Sequence, residues 1–351
     1  MQRCQKHAAG HMPPDSLVPP HDSHYSASPT WMNQDLHCRM LRYRPETGYQ
    51  PPDIEWSRIG LITLLLAFYL SCLSGSRAEA VNTTTREEAI ASFPTTTSLQ
   101  TVEEGFFLMG TTRSSDTTFS LDLQYDDTEQ PQRRIWLPRF EIDRDEVSLS
   151  VYLRWLLRTQ RPVPEDLRKL IEHLMRVHAI SAETLARWPA LYITWADAST
   201  FCREQNKRLP TEAEWEKAAR GTDGNLFPWG RTTPTAALAM FGQYHVHEIP
   251  IVAPVDTGEN GLSPYGLRHM AGNAAEWVAD WFGIDYYMTM PDHNPPGPST
   301  GRYKVVRGGS WKSAPALLRT ATRSGAPPEQ RAATIGFRCA RSAAPSTLPT
   351  P

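Results

Sequence analysis

Two histidines and a glutamate stand close together in the run His245-Val246-His247-Glu248. If this run is a strand, His245 and His247 point to the same face, because side chains alternate along a strand. Two histidines and a carboxylate form a known set of ligands for non-haem iron, and His269 would add a ligand if its loop comes close. The run is therefore a candidate transition-metal site, whereas two histidines at this spacing usually form only a polar strand face.

The overall composition limits the classes of partner. The chain has 351 residues and a formal net charge of −2, so nothing in it favours a nucleic-acid partner. This length suits one large domain or two small ones. The 30 prolines and 11 tryptophans predict a loop-rich globular region with irregular ends.

One strongly apolar run, residues 59–73, follows Arg58 and precedes Ala78-Glu79-Ala80. A basic flank, a short apolar core and an Ala-x-Ala site are the parts of a secretory signal peptide. The run is shorter than the roughly 20 residues of a transmembrane helix. We therefore predict an extracytoplasmic protein that meets a membrane only if this segment stays uncleaved as an anchor.

The same patterns predict the organisation of the chain. The expected parts are a disordered or misassigned extension (1–58), a signal peptide or anchor (59–80), a Thr-rich linker (81–101), a folded domain (102–341) and a loose tail (342–351). The folded domain contains two cysteines, Cys202 and Cys339. In an exported domain such a pair favours a disulfide, and the alternative is two buried free thiols.

Several segments have the periodicity of regular structure. The pattern predicts strands at 106–110, 134–142 and 189–195, and helices at 146–158, 164–178 and 196–206. The clearest element is the helix within Arg208–Gly221. Thr211 and Glu214 have the spacing of a capping box, and Gly221 supplies a stop. Trp215 and Ala218 should then face the core.

Four short blocks occur in the order RLPTEAEWE (208–216), GNAAEW (272–277), RGGSW (307–311) and GFRC (336–339). Together they resemble the hallmarks of the formylglycine-generating enzyme family, also called sulfatase-modifying factors. The resemblance implies an α+β protein, with a loop-rich mixed α/β fold resembling C-type lectins. It also implies that Cys202 pairs with Cys339.

In enzymes of that family, two cysteines that hold copper follow the Arg-Gly-Gly-Ser. The aligned positions here are Ser313 and, across a shorter interval, Leu318. Serine binds Cu(I) weakly and leucine does not bind it, so the resemblance implies that copper is not the cofactor. Ser310, Trp311 and Ser313 stay candidates for lining a remnant groove. No catalytic residue is assigned, because a serine nucleophile needs a positioned base and none stands nearby in the sequence.

The family also has calcium sites, and the resemblance implies one here from the carbonyls of Gly272 and Ala274 and the carboxylate of Glu276. A usual Asn or Asp ligand is replaced by His269, which weakens such a site because calcium prefers oxygen. The alternative is that Glu276 is a structural hydrogen-bond acceptor. Calcium thus remains a candidate cofactor.

These features predict an exported member of the family that is non-catalytic or diverged and that binds a peptide or protein in the family groove. Two alternatives belong to other functional classes. One is a metal-dependent oxidase or modifying enzyme of the same family. The other is a true sulfatase-activating oxidase, which ranks last because the copper cysteines are absent from the matching positions.

Overall fold

The structure of the protein, a computed structural model, describes residues 98–112, 127–244 and 249–343. Strands β1–β9 are Leu99–Val102, Gly105–Met109, Arg133–Leu137, Phe140–Asp143, Ala275–Trp281, Lys304–Arg307, Arg323–Ala326, Ile335–Phe337 and Ala340–Ser342. Helices α1–α6 are Leu149–Arg158, Glu165–Val177, Ala182–Ala186, Trp195–Glu204, Glu212–Arg220 and Tyr286–Thr289. Since α1–α5 all lie between β4 and β5 instead of alternating with strands, the class is α+β, as predicted.

Three small sheets organise the described residues. Strands β1, β4 and β9 form one sheet in that order, β2 pairs with β3, and the third sheet has the order β7-β6-β5-β8. All pairings are antiparallel except that of β5 with β8. The pairing of β9 with β4 brings the end of the described chain beside its beginning. This places residues 336–339 next to the segments that precede α1.

Helix α5 confirms the local prediction. Thr211 caps its N-terminus and forms a capping box with Glu214, and Gly221 follows its last residue. Trp215 and Ala218 are fully buried. Every residue of α5 is buried, which is unusual for a helix that carries three glutamates, a lysine and an arginine. Its charged groups therefore need partners inside the protein.

Two strand predictions were wrong. The expected strand at 134–142 is two strands in different sheets, β3 and β4, because Pro138 lies between them and cannot donate a backbone hydrogen bond. The expected strand at 189–195 is absent. Tyr192 has a φ of +58°, which breaks the extended conformation.

The boundaries of the folded part also differ from the expected 102–341. Strand β1 begins at Leu99, inside the expected linker, and β9 ends at Ser342, the first residue of the expected tail. No helix of the described ranges is long and apolar enough to cross a membrane. The apolar run at 59–73 and the extension before it lie outside the described residues.

Candidate functional site

The turn Ser310–Ser313 follows β6 and is closed by its own side chains. The Ser313 hydroxyl accepts a hydrogen bond from the Ser310 amide at 2.9 Å, and the Ser310 hydroxyl accepts one from the Lys312 amide at 3.3 Å. The two hydroxyl oxygens lie 3.5 Å apart. Both serines thus stabilise the turn, and no imidazole or carboxylate of residues 98–112, 127–244 and 249–343 is in hydrogen-bond contact with either hydroxyl.

Trp311 does not form a groove wall. Its side chain is 1% exposed and packs in the main hydrophobic core. The indole Nε1–H donates to the Ala333 carbonyl at 2.9 Å. The prediction of Trp311 as a groove residue is therefore corrected: burial of a large aromatic ring stabilises the fold here.

Leu318, the position aligned with the second copper cysteine, fills the space beneath this turn. The residue is fully buried, and a Cβ on Gly309 would lie 3.0 Å from its Cδ2. The neighbouring Leu317 is 47% exposed. Backbone hydrogen bonds from Gly242 and Gln243 to the 311–313 carbonyls place a second segment, with the exposed Tyr244, beside the turn. The surface of the Ser310–Ser313 turn therefore has apolar side chains exposed beside it, Leu317 and Tyr244. Beneath the turn, Leu318 leaves no open pocket among the described residues.

Cys202 and Cys339 form the disulfide that the resemblance implies. The Sγ atoms are 1.96 Å apart, and the Cα atoms are separated by 5.6 Å. Cys202 lies on α4, and Cys339 lies just before β9. No other cysteine occurs in the described ranges, so these ranges offer no thiolate for Cu(I). With Ser313 and Leu318 at the aligned positions, the residues present do not fit a copper centre.

Glu276 is a structural acceptor. Its buried carboxylate accepts hydrogen bonds from the Arg338 Nε and Nη2 atoms at 2.8 and 2.7 Å, and from Trp215 Nε1 at 2.9 Å. A calcium ion would have to displace the Arg338 guanidinium. The calcium hypothesis is therefore corrected at Glu276, and the alternative of a hydrogen-bond acceptor fits.

Gly272 and Ala274 flank the loop that leads into β5, and both are tightly packed. The Gly272 amide donates to the Gly308 carbonyl at 3.0 Å, and the Ala274 amide donates to Glu146 Oε1 at 3.0 Å. A Cβ on Gly272 would lie 2.3 Å from the Met240 carbonyl oxygen. Close packing accounts for this glycine, and the amides of Gly272 and Ala274 are both used in hydrogen bonds within the protein. A calcium-binding role for their carbonyls stays a prediction.

His269 is buried, and its Nε2 lies 3.2 Å from the Pro254 carbonyl oxygen. Burial lowers the pKa of the imidazole to about 4, so the ring is neutral and donates from Nε2. His245 and His247, the other members of the predicted transition-metal set, lie outside the described residues. Within the described ranges, no group of three or more His, Cys, Asp or Glu side chains is placed to hold a metal ion.

The sequence patterns did not predict the roles of Glu146 and Asn273. These residues connect the segments before α1 and around Ala253 to the Ser310–Ser313 turn. Asn273 Nδ2 donates to Glu146 Oε2 at 2.6 Å, and its Oδ1 accepts from the Ala253 amide at 2.8 Å. Its carbonyl accepts from the Trp311 amide at 2.8 Å. The only available signal was that Asn273 belongs to the GNAAEW block.

The charged residues of α5 form a second buried network. Glu212 accepts a bidentate pair of hydrogen bonds from Arg323, both at 2.7 Å. The Glu216 carboxylate accepts a hydrogen bond from Arg307. It also accepts hydrogen bonds from Arg220 Nη1 and from the Gly110 amide, each at 2.7 Å. The hallmark residues of α5 and β6 therefore hold each other inside the protein instead of facing a substrate.

The fold and the hallmark blocks define a class of protein. The Sulfatase-modifying factor enzyme 1-like domain matches residues 86–343, so the chain belongs to the formylglycine-generating enzyme family. The chain is similar to the formylglycine-generating enzyme of Bos taurus, with 37% identity over 175 residues. That match covers 45% of this chain and 45% of the bovine protein.

Relatives with other names are also similar. The serine/threonine-protein kinase pkn1 of Chlamydia caviae is 33% identical over 264 residues, which cover 73% of this chain and 40% of that protein. The hercynine oxygenase of Mycolicibacterium smegmatis is 31% identical, with coverage of 61% of this chain and 48% of the relative. The chain thus spans less than half the length of these relatives.

Among solved structures, PvdO from Pseudomonas aeruginosa has a TM-score of 0.54 and 24% sequence identity. The similarity covers 70% of this chain and 94% of PvdO. At this identity the likeness concerns the fold. It confirms the loop-rich mixed α/β architecture resembling C-type lectins.

Proposed function

We propose that this protein is an exported, diverged member of the family that does not perform copper-dependent oxidation and that binds a peptide or protein. The observation that carries the proposal is the chemistry at the two copper positions. The Ser313 hydroxyl is used to hold the Ser310 amide, and Leu318 is fully buried. Neither residue can supply the thiolate that Cu(I) requires.

The proposed binding surface is the outer face of the Ser310–Ser313 turn. Leu317, four residues after Ser313, is 47% exposed. Tyr244 is 56% exposed and directly follows Gly242 and Gln243, whose amides donate to the carbonyls of Ser313 and Trp311. An exposed aliphatic and an exposed aromatic side chain on a fixed turn suit contact with an extended peptide. Because the buried Leu318 fills the space beneath the turn, we expect a bound peptide to lie on the surface and not to insert a side chain into a pocket.

The disulfide supports export. Disulfides persist in oxidising compartments and are rare where glutathione keeps thiols reduced. Cys202 and Cys339 are both fully buried, so the bond is protected once formed. Expression with and without residues 59–80, followed by fractionation, tests the location: accumulation of both forms only in the cytoplasm would contradict export.

Oxidase activity is tested directly by incubating the purified chain with copper, oxygen and a peptide that contains Cys-x-Pro-x-Arg. We expect the peptide mass to stay unchanged by mass spectrometry. A conversion of the peptide cysteine to formylglycine would establish the third-ranked alternative. Metal analysis of the purified chain before copper is added covers the second alternative: a stoichiometric transition metal that is lost when His245 and His247 are changed to Ala would support a metal-dependent enzyme.

Peptide binding is tested with the same peptide carrying a fluorescent label, by anisotropy. We expect binding that is lost in Leu317→Asp, because a charge at the contact would have to be desolvated. Met288→Asp is the matched control, since Met288 is 60% exposed and lies on α6 outside the turn. Equal anisotropy changes for both variants and the wild type would contradict the assignment of this surface.

A further inference from the structure

Two histidines meet at the C-terminal end of α2. His173 lies in the helix, and His178 is the first residue after it. Their Nε2 atoms lie 3.3 Å apart, and the ring centroids are separated by 5.0 Å with 68° between the ring planes. Neither ring belongs to the turn or to the buried networks described above. The two side chains therefore bring a pair of nitrogen donors to one point on the surface.

The backbone after α2 holds His178 in this position. Ala179 has a φ of +51°, a left-handed conformation that a non-glycine residue adopts only at a cost. The Ile180 amide donates to the Leu174 carbonyl at 3.2 Å, which returns the chain over the last turn of the helix. The position of the His178 ring is thus set by a fixed turn and not only by the rotation of its side chain.

The separation of the two nitrogens matches one edge of a tetrahedral metal site. Zinc bonds to imidazole nitrogen at about 2.0–2.1 Å, and the tetrahedral angle then places two nitrogen ligands about 3.3–3.4 Å apart. A square-planar copper or nickel site would place neighbouring nitrogens only about 2.8–3.0 Å apart at the same bond lengths. An N–H···O hydrogen bond is usually about 2.7–3.2 Å long, so a hydrogen bond between the rings fits the distance less well.

The surroundings of the pair admit a cation. His173 is half-buried and lines an open groove of about 460 Å³, while His178 is exposed, so a hydrated ion can reach both rings. Helix α2 carries three acidic and three basic side chains and thus no net charge. The pair lies at its C-terminal end, where the helix dipole is negative. A positive ion is therefore favoured at this place.

We propose that His173 and His178 bind one zinc ion through their Nε2 atoms, each ring keeping its proton on Nδ1. Within residues 98–112, 127–244 and 249–343, no third His, Cys, Asp or Glu side chain joins the pair as a ligand, so water fills the remaining two positions. The bound ion holds the turn at 178–180 to α2. This site uses neither the proposed peptide surface nor His245 and His247, so its failure would leave the proposed function untouched.

Crystals of the full chain soaked in zinc chloride provide the direct test. An anomalous difference map at the zinc absorption edge should show a peak about 2.0–2.1 Å from both Nε2 atoms. The absence of an anomalous peak between the two rings would overturn the proposal, because the rings would then be joined by a hydrogen bond only.

In solution, the zinc content of the full chain after dialysis against zinc chloride measures the same site. His178→Gln should bind one zinc ion fewer than the wild type, since glutamine keeps a polar side chain but lacks the imidazole nitrogen. His178 is exposed, so this replacement should leave the fold intact. His293→Gln is the matched control, because His293 is also exposed and its ring contacts Phe106 and Trp136 instead. Equal zinc contents in His178→Gln and the wild type would also overturn the proposal.

Discussion

Arg338 forms a bidentate, fully buried ion pair with Glu276, and it also donates to the Asp143, Arg144 and Arg268 carbonyls at 2.7–3.0 Å. One side chain from the GFRC block thereby fixes the strand that carries the GNAAEW block and two further segments. The hallmark residues of this family act here as a structural frame. Removing any one of them should therefore affect stability before it affects binding.

Glu276→Leu should lower the free energy of unfolding by about 3–5 kcal/mol, because it leaves the Arg338 guanidinium buried without its counter-charge. The double variant Glu276→Leu/Arg338→Met should lose clearly less than the sum of the two single variants. Urea denaturation of the four proteins measures this. Asp256→Asn is the control, since the Arg187–Asp256 pair is about half exposed and its loss should cost no more than about 1 kcal/mol. Additive losses would contradict the coupling.

Removal of the disulfide should destabilise the protein strongly. Cys202 and Cys339 are 137 residues apart, and the chain-entropy account gives about 4–5 kcal/mol for closing such a loop. The double variant Cys202→Ala/Cys339→Ala should lose up to this amount in denaturant unfolding. Mass spectrometry after alkylation without reductant provides the control. Alkylation at both Cys202 and Cys339, located by peptide mapping, would show that the bond is absent.

Stability should fall as the pH rises through neutrality. The pKa of Glu146 is raised from 4.5 to about 8, mainly by burial and next by the nearby Glu276 carboxylate, although hydrogen bonds from Asn273 and Ala274 oppose this. The native state thus binds a proton that the unfolded chain lacks between pH 4.5 and 8, and stability is lost across this window. Burial of His269 acts in the opposite sense, because its pKa falls from 6.5 to about 4.

The two effects oppose each other up to about pH 6.5, where the His269 effect ends. Burial also raises the pKa of Asp280, so this carboxyl acts in the same sense as Glu146. Between pH 6.5 and 8 we expect the free energy of unfolding to fall by roughly 1 kcal/mol per pH unit. Glu146→Gln should make this slope clearly shallower than in the wild type, whatever its effect on absolute stability. Urea denaturation at several pH values measures both proteins. If the free energy of unfolding of the wild type rises between pH 6.5 and 8, Glu146 is not protonated in the native state as proposed.

Gly272→Ala should be far more damaging than Gly266→Ala. Both glycines have a φ of +76°, so each substitution places an L side chain in the left-handed region at about 1–2 kcal/mol. A Cβ at Gly266 meets nothing within 4 Å, whereas a Cβ at Gly272 would lie 2.3 Å from the Met240 carbonyl oxygen. Thermal unfolding of the two variants compares them under equal backbone strain. Equal losses would mean that the loop relaxes without cost.

Local interactions explain which elements could be predicted from the sequence. The capping box of Thr211 and Glu214 involves residues three apart, so its pattern can be read directly and is correct in the structure. The strand expected at 189–195 was wrong because Tyr192 adopts a positive φ and its amide bonds to Ala332, far away in the sequence. Such tertiary contacts override local periodicity.

By itself the sequence determined the family, the α+β class, the pairing implied for Cys202 and Cys339, and the loss of both copper positions. These are properties of residue identity at spacings that are visible along the chain. Only the tertiary structure decided that Trp311 is buried in the core and that the Glu276 carboxylate pairs with the Arg338 guanidinium. It also decided that the Glu146 carboxyl is buried. Partners, burial and pKa depend on segments that are distant in sequence and meet only on folding. The same residue types could otherwise have formed a groove or a metal site.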